Sequence, residues 1–124
     1  MKNATNAPGH LIKRDGAVRP FDAGKIAAAL ERAGRATGEF DAARARELTE
    51  RGVLPRIAAL GLVTPHVEQI QDAVEVTLFD AGLRATLRAY VVYREQHRKL
   101  RDARRSLVDV EMPESDLFAG LRPS

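Results

Sequence analysis

Cysteine is absent from all 124 residues. That excludes disulfides, thiolate metal sites, a nucleophilic thiol and thiyl-radical chemistry. Tryptophan is absent too, and aromatic residues make up 5% of the chain, which argues against a β-sandwich built on aromatic and β-branched side chains. No apolar run reaches bilayer length, and residues 1–9 lack the apolar stretch of a signal peptide, so a cytoplasmic location is expected. A strong charge bias is also missing. Lys and Arg total 20 against 17 Asp and Glu, a net charge of +3, which suits anionic partners but is too mild to establish nucleic-acid binding. His10, His66 and His97 lie too far apart for zinc-ligand spacing. They are expected at the surface, and no metal site made of protein side chains is expected.

What the chain does contain is Ala, Leu and Arg, with 44% hydrophobic residues. This suits one mainly helical domain with a modest core. Residues 1–9 are polar and rich in Asn, Pro and Gly, and read as a disordered arm. Two short extended runs then flank Asp15-Gly16, a strong hairpin signal. Asp22 is a good N-cap for a helix with Ile26, Leu30 and Ala33 on one face, ending near Thr37-Gly38. A second helical stretch starts near Asp41, with a kink or break expected at Gly52 and Pro55 and an end at Gly61. Thr64-Pro65 reads as an N-cap and first helical residue for a helix carrying Val67, Ile70, Val74 and Leu78, which ends before Gly82. A fourth helix carries Leu83, Leu87, Tyr90 and Val91 inward and runs to about Leu107. Residues 108–124, with two prolines and no period, read as a loose tail or linker docked at most by Leu117 and Phe118.

Lys13, Arg14, Arg19 and Lys25 fall on the hairpin and the first turn of the following helix. Brought together with exposed helix N–H groups, they would form a polyphosphate site. The alternative is that they are ordinary gatekeepers on a short edge hairpin. A Walker loop is excluded, because Gly24-Lys25 is followed by Ile26 rather than Ser or Thr. On the last helix, Arg94, Arg98, Arg101 and Arg105 form a stripe, and Ala89, Val92, Leu100, Ala103 and Leu107 form an apolar seam. These read either as a surface for another helix or subunit, or as a solvated helix with internal pairs such as Arg98 with Asp102.

Two blocks add to this reading. Ile12-Lys13-Arg14-Asp15-Gly16 with Phe21-Asp22 and Lys25-Ile26 resembles the opening of the ATP-cone domain. Val67-Glu68-Gln69-Ile70-Gln71-Asp72, Val74-Glu75 and Ala89-Tyr90-Val91-Val92-Tyr93-Arg94 resemble its closing signature. Together they cover about residues 10–98. The resemblance implies a four-helix bundle capped by a small N-terminal β-hairpin over residues 10–107, with ATP or dATP as effector, Mg2+ accompanying the phosphates, and no catalysis. It also implies residue roles. Lys13, Arg14, Lys25 and Thr64 would contact phosphates. Phe21, Ile26 and Val67 would wall the base, Arg19 and Asp22 would lie against adenine, and Glu68 would influence sugar or base recognition. Some cones place a further cation where the fourth helix passes the site. Here Glu95 follows Arg94, and Arg94 or Arg98 is expected to substitute.

The stretch 93–111 is similar to the segment following the cone in anaerobic ribonucleoside-triphosphate reductases. The implied function is therefore allosteric control of a ribonucleotide reductase, by a separate subunit or an excised domain, through nucleotide-dependent self-association or docking on the catalytic subunit. The alternative is a nucleotide-responsive, nucleic-acid-binding transcriptional regulator lacking its zinc ribbon.

Overall fold

A hairpin forms around Asp15-Gly16 as expected. In the computed structural model, which describes residues 7–107, β1 (His10–Ile12) pairs antiparallel with β2 (Val18–Pro20), Leu11 opposite Arg19. The Lys13 N–H donates to the Ala17 carbonyl at 2.8 Å and the Gly16 N–H to the Lys13 carbonyl at 2.9 Å. Gly16 has φ +89°, a region glycine enters without the cost a Cβ would impose. Two three-residue strands are too little to stand alone. Leu11 and Phe21 are half-buried against the helical core, and the Ile12 N–H donates to the Pro65 carbonyl at 2.9 Å. A parallel bridge between Ile12 and His66 extends this contact.

Helix α1 (Ala23–Thr37) starts where Asp22 caps it, its Oδ1 accepting from the Gly24 N–H, and ends at left-handed Gly38. The second helical stretch is continuous rather than broken. It passes from α2 (Ala42–Leu48) through a π-turn at Thr49–Val53 into α3 (Leu54–Ala59). Gly52 lies in the widened turn and Pro55 in the first turn of α3. The Arg56 guanidinium donates to the Gly52 carbonyl at 3.1 Å.

Helix α4 (Val67–Asp80) begins two residues later than Thr64 suggested. His66 is extended, and the Pro65 carbonyl before it is taken by Ile12 of β1. His66 is the N-cap, its Nδ1 accepting from the Glu68 N–H at 3.0 Å, while the Gln69 side chain accepts from the His66 N–H at 2.9 Å. This reciprocal capping box satisfies two N–H groups that the helix leaves without internal partners. Helix α5 (Arg84–Leu107) is the longest. Its start is held by Glu39, which accepts from the Ala85 and Thr86 N–H groups at 3.2 and 2.7 Å.

The core gathers Leu30 and Ala33 of α1, Leu48, Val53 and Ile57 of the second stretch, Ile70, Val74 and Leu78 of α4, and Tyr90 and Tyr93 of α5. Helix α1 packs on α2 and α5, and α4 packs on α5, α3 and the π-turn. The architecture is the expected one, mainly helical with a two-stranded N-terminal sheet. Two assignments change. Val91 is exposed, because the buried line of α5 runs Thr86, Tyr90, Tyr93. His97 is half-buried with its ring centroid 4.1 Å from that of Tyr93, so neither it nor His66 is a plain surface residue. No described helix is long and apolar enough to cross a membrane. Residues 1–6, the tail 108–124 with Leu117 and Phe118, and the side chains of Arg105 and Leu107 lie outside the described residues.

Candidate functional site

The hairpin turn aims Arg14 inward. Asp15 is tied to its own turn, its Oδ1 accepting from the Ala17 N–H at 2.9 Å. That bond, with the charges of Lys13 and Arg19, holds the Asp15 carboxyl below its ordinary range. Arg14 turns the other way and its side chain is only 13% exposed. It forms an ion pair with Glu68 and donates to Gln71 Oε1 at 2.9 Å, both on α4. Burial lowers the Arg14 pKa, and the like charges of Arg101, Arg94 and Arg98 lower it further. Arg14 thus sits where hairpin, α4 and α5 meet.

From α5, Arg94 reaches the same carboxylate. It donates to Glu68 Oε1 at 2.7 Å, Asp72 Oδ1 at 2.9 Å and Glu75 Oε2 at 2.6 Å, and to the Glu68 carbonyl at 3.2 Å. Positions 68, 72 and 75 fall on one helical face, so a single guanidinium can clamp all three. Burial works against the charge on Arg94, but the bonds to Glu75 and Asp72 win and raise its pKa. Further along α5, Arg98 pairs with Glu95 at 2.6 Å and more distantly with Asp102 at 3.8 Å. The pair of Arg98 with Asp102, one of the two alternatives for this stripe, is therefore present at that longer distance. Arg101 is half-buried.

Arg14, Glu68 and Arg94 come together directly, and Arg98 and Arg101 stand close enough for their charge to act on Arg14. Of Lys13, Arg14, Arg19 and Lys25, the charges of Lys13 and Arg19 act on Asp15, Lys25 is exposed in the first turn of α1, and Arg14 shares Glu68 with Arg94 of α5. Asp15 is held within its own turn by the Ala17 N–H, while Arg14 reaches Glu68 and Gln71 on α4. Phe21, Ile26 and Val67 are all half-buried, Phe21 and Ile26 against the core. Asp22 is engaged as the α1 cap. Thr64 is half-buried and lies two residues before the His66 cap of α4.

The sequence reading missed Gln71 and gave Arg101 no place in the site. Both had a signal, since Gln71 is one turn from Glu68 and Arg101 two turns from Arg94. His66 was missed because histidine is an uncommon cap, although Gln69 completes its box. Among the described residues no group of His, Asp and Glu is arranged to hold a metal ion. Glu68, Asp72 and Glu75 are instead committed to arginine.

Residues 9–99 match the ATP cone domain family. Over 97 residues the chain is 36% identical to the vitamin B12-dependent ribonucleoside-diphosphate reductase of Mycobacterium tuberculosis (strain ATCC 25618 / H37Rv), covering 78% of this chain and 13% of that protein. Over 98 residues it is 35% identical to the ribonucleoside-diphosphate reductase subunit alpha of Chlamydia pneumoniae, covering 73% of this chain and 9% of that one. The vitamin B12-dependent reductase of Thermoplasma acidophilum is 31% identical over 97 residues, 74% of this chain and 12% of its own length. The chain thus spans about a tenth of the relatives it matches. They are diphosphate reductases, whereas the stretch 93–111 pointed to the anaerobic triphosphate enzymes.

Proposed function

The chain belongs to the ATP cone family, whose domain is regulatory rather than catalytic, and from that premise we propose that it binds ATP or dATP between the hairpin and the α4–α5 pair and thereby regulates a ribonucleotide reductase. The observation that carries this reading is Arg14, a mostly buried guanidinium at the junction of the hairpin, α4 and α5. Three further arginines bear on it. A mostly buried guanidinium whose carboxylate partner is shared with Arg94 can take the oxygens of a polyanion in its place. Lys13 and Lys25 supply further cations on the hairpin and the first turn of α1. Phe21, Ile26 and Val67 provide half-buried apolar surface suited to a base, and Arg19 and Asp22 lie beside it in sequence. Mg2+, where it takes part, enters with the phosphates, because the carboxylates of α4 are already paired.

The regulated partner is a ribonucleotide reductase catalytic subunit, a reading supported by the enzymes to which this stretch is similar. The output is a change in self-association or docking, since a ligand shifts an equilibrium only through differential affinity for its states. Calorimetric titration with ATP and dATP, with light scattering on the same samples, tests both halves. Saturable binding with a change in mass supports the proposal. A folded sample that takes up neither nucleotide at millimolar concentration refutes it.

A further inference from the structure

Glu68 is shared between two cations whose circumstances differ. Its Oε2 pairs with Arg14 and its Oε1 accepts from Arg94. Arg94 has other carboxylates at hand, Asp72 at 2.9 Å and Glu75 at 2.6 Å, and stays neutralised without Glu68. Arg14 has no such reserve. Among the described residues its other side-chain partner is the neutral amide of Gln71. Glu68 is therefore the carboxylate that balances Arg14 against Arg94, Arg98 and Arg101, all of which press on it with like charge.

An anion approaching Arg14 meets that carboxylate. A guanidinium presents a fixed fork of N–H donors that fits carboxylate and phosphate equally well. One arm of the Arg14 fork, Nη2, is on Gln71, and Nη1 is on Glu68. A phosphate oxygen reaching Nη1 would stand within a few ångströms of the Glu68 oxygens, and two such negative charges at that distance repel strongly. Glu68 has an easy way out. Its side chain is 40% exposed, and its second oxygen already rests on Arg94, so it can leave Arg14 without being stranded in an apolar place.

We propose that Glu68 competes with the nucleotide phosphates for Arg14 and so sets the affinity threshold of the site. The inference rests on the nucleotide reading above and deepens it. Glu68 acts against binding rather than for it, unlike the sugar or base contact that the family resemblance implied. The threshold favours a multiply charged phosphate chain, which can displace a carboxylate, over an uncharged nucleoside, which cannot. The apparent affinity is the intrinsic one multiplied by the fraction of molecules in which Arg14 is released from Glu68.

The test is calorimetric titration of the full chain with ATP and with adenosine, in the wild type, E68Q and E68A, with E47Q as a control. Glu47 lies on α2, paired with Arg44, and its removal changes net charge by the same amount. E68Q and E68A are expected to bind ATP about three- to fivefold more tightly than wild type, the upper range of a partly exposed ion pair. E47Q should stay within about twofold, and adenosine should gain nothing in any variant. Circular dichroism confirms that each variant is folded, and E68A provides a second reading should E68Q rearrange. Wild-type binding with unchanged or weaker binding in both Glu68 variants overturns the inference and leaves the nucleotide reading intact. Silence toward ATP in every protein overturns both.

Discussion

Gly52 has no room for a side chain. A Cβ placed on it would stand 2.3 Å from Cγ2 of Thr77, and that methyl belongs to a buried residue of α4. Gly52→Ala is therefore expected to destabilise the fold by about 1–3 kcal/mol, measurable as a lower urea midpoint with an unchanged slope. In the bare sequence this glycine looks like an interruption of a helix. Its actual role, close approach of the π-turn to α4, depends on a neighbour 25 positions away that periodicity does not reveal. Glu39 presents a similar case. Burial would raise its carboxyl, but hydrogen bonds from Thr86 and Ala85 outweigh this and hold it below its ordinary value of 4.5. A depressed folded-state pKa contributes stability above the unfolded value, and that contribution is lost as pH falls through the folded one. Glu39→Gln should thus lower stability at neutral pH and flatten its decline below about pH 4.5, as followed by thermal melts from pH 7 to 3.

Among the elements, α4 carries the most. Its first turn caps itself through His66 and Gln69 while the preceding carbonyl anchors β1. His66→Ala should cost about 1 kcal/mol, the usual loss for an N-cap, and His66→Asp should restore it. Because Pro65 and His66 also hold the hairpin, the Ile12 amide is expected to exchange with solvent faster in His66→Ala than in His66→Asp, which hydrogen-exchange mass spectrometry can resolve. Helix existence was legible here from Val67, Ile70, Val74 and Leu78, whose spacing survives into the core or its edge. The start was not. Thr64-Pro65 carries a good local signal, and it is overruled by strand pairing with residues some fifty positions earlier. The same holds for Glu68, Asp72 and Glu75. They read as a family signature in sequence, and only the packing of α5 on α4 discloses that one arginine gathers all three.

For the molecule as a whole, the hairpin, the helix order and the cap at Asp22 were accessible because each rests on local chemistry, an Asp-Gly turn, an Asp cap and a glycine stop. What escaped the sequence is long-range: the pairing of β1 with residues 65 and 66, and the direction of Arg14. If the assembled unit binds ATP, a hundredfold excess over Kd should add about 2.7 kcal/mol, on the order of a 10 °C rise in Tm. The Lys13→Ala, Arg14→Ala double variant should keep its circular dichroism spectrum and lose that rise in differential scanning fluorimetry. An unchanged shift in the double variant would remove these two cations from the phosphate contacts.

The attachments of the hairpin to the helices include the Ile12 to Pro65 hydrogen bond and its adjoining bridge, the half-buried sides of Leu11 and Phe21, and the grip of Arg14. Local opening costs least where little is buried, so the amides of this two-stranded cap are expected to exchange with solvent ahead of those in the helical core, an order that hydrogen-exchange mass spectrometry would read.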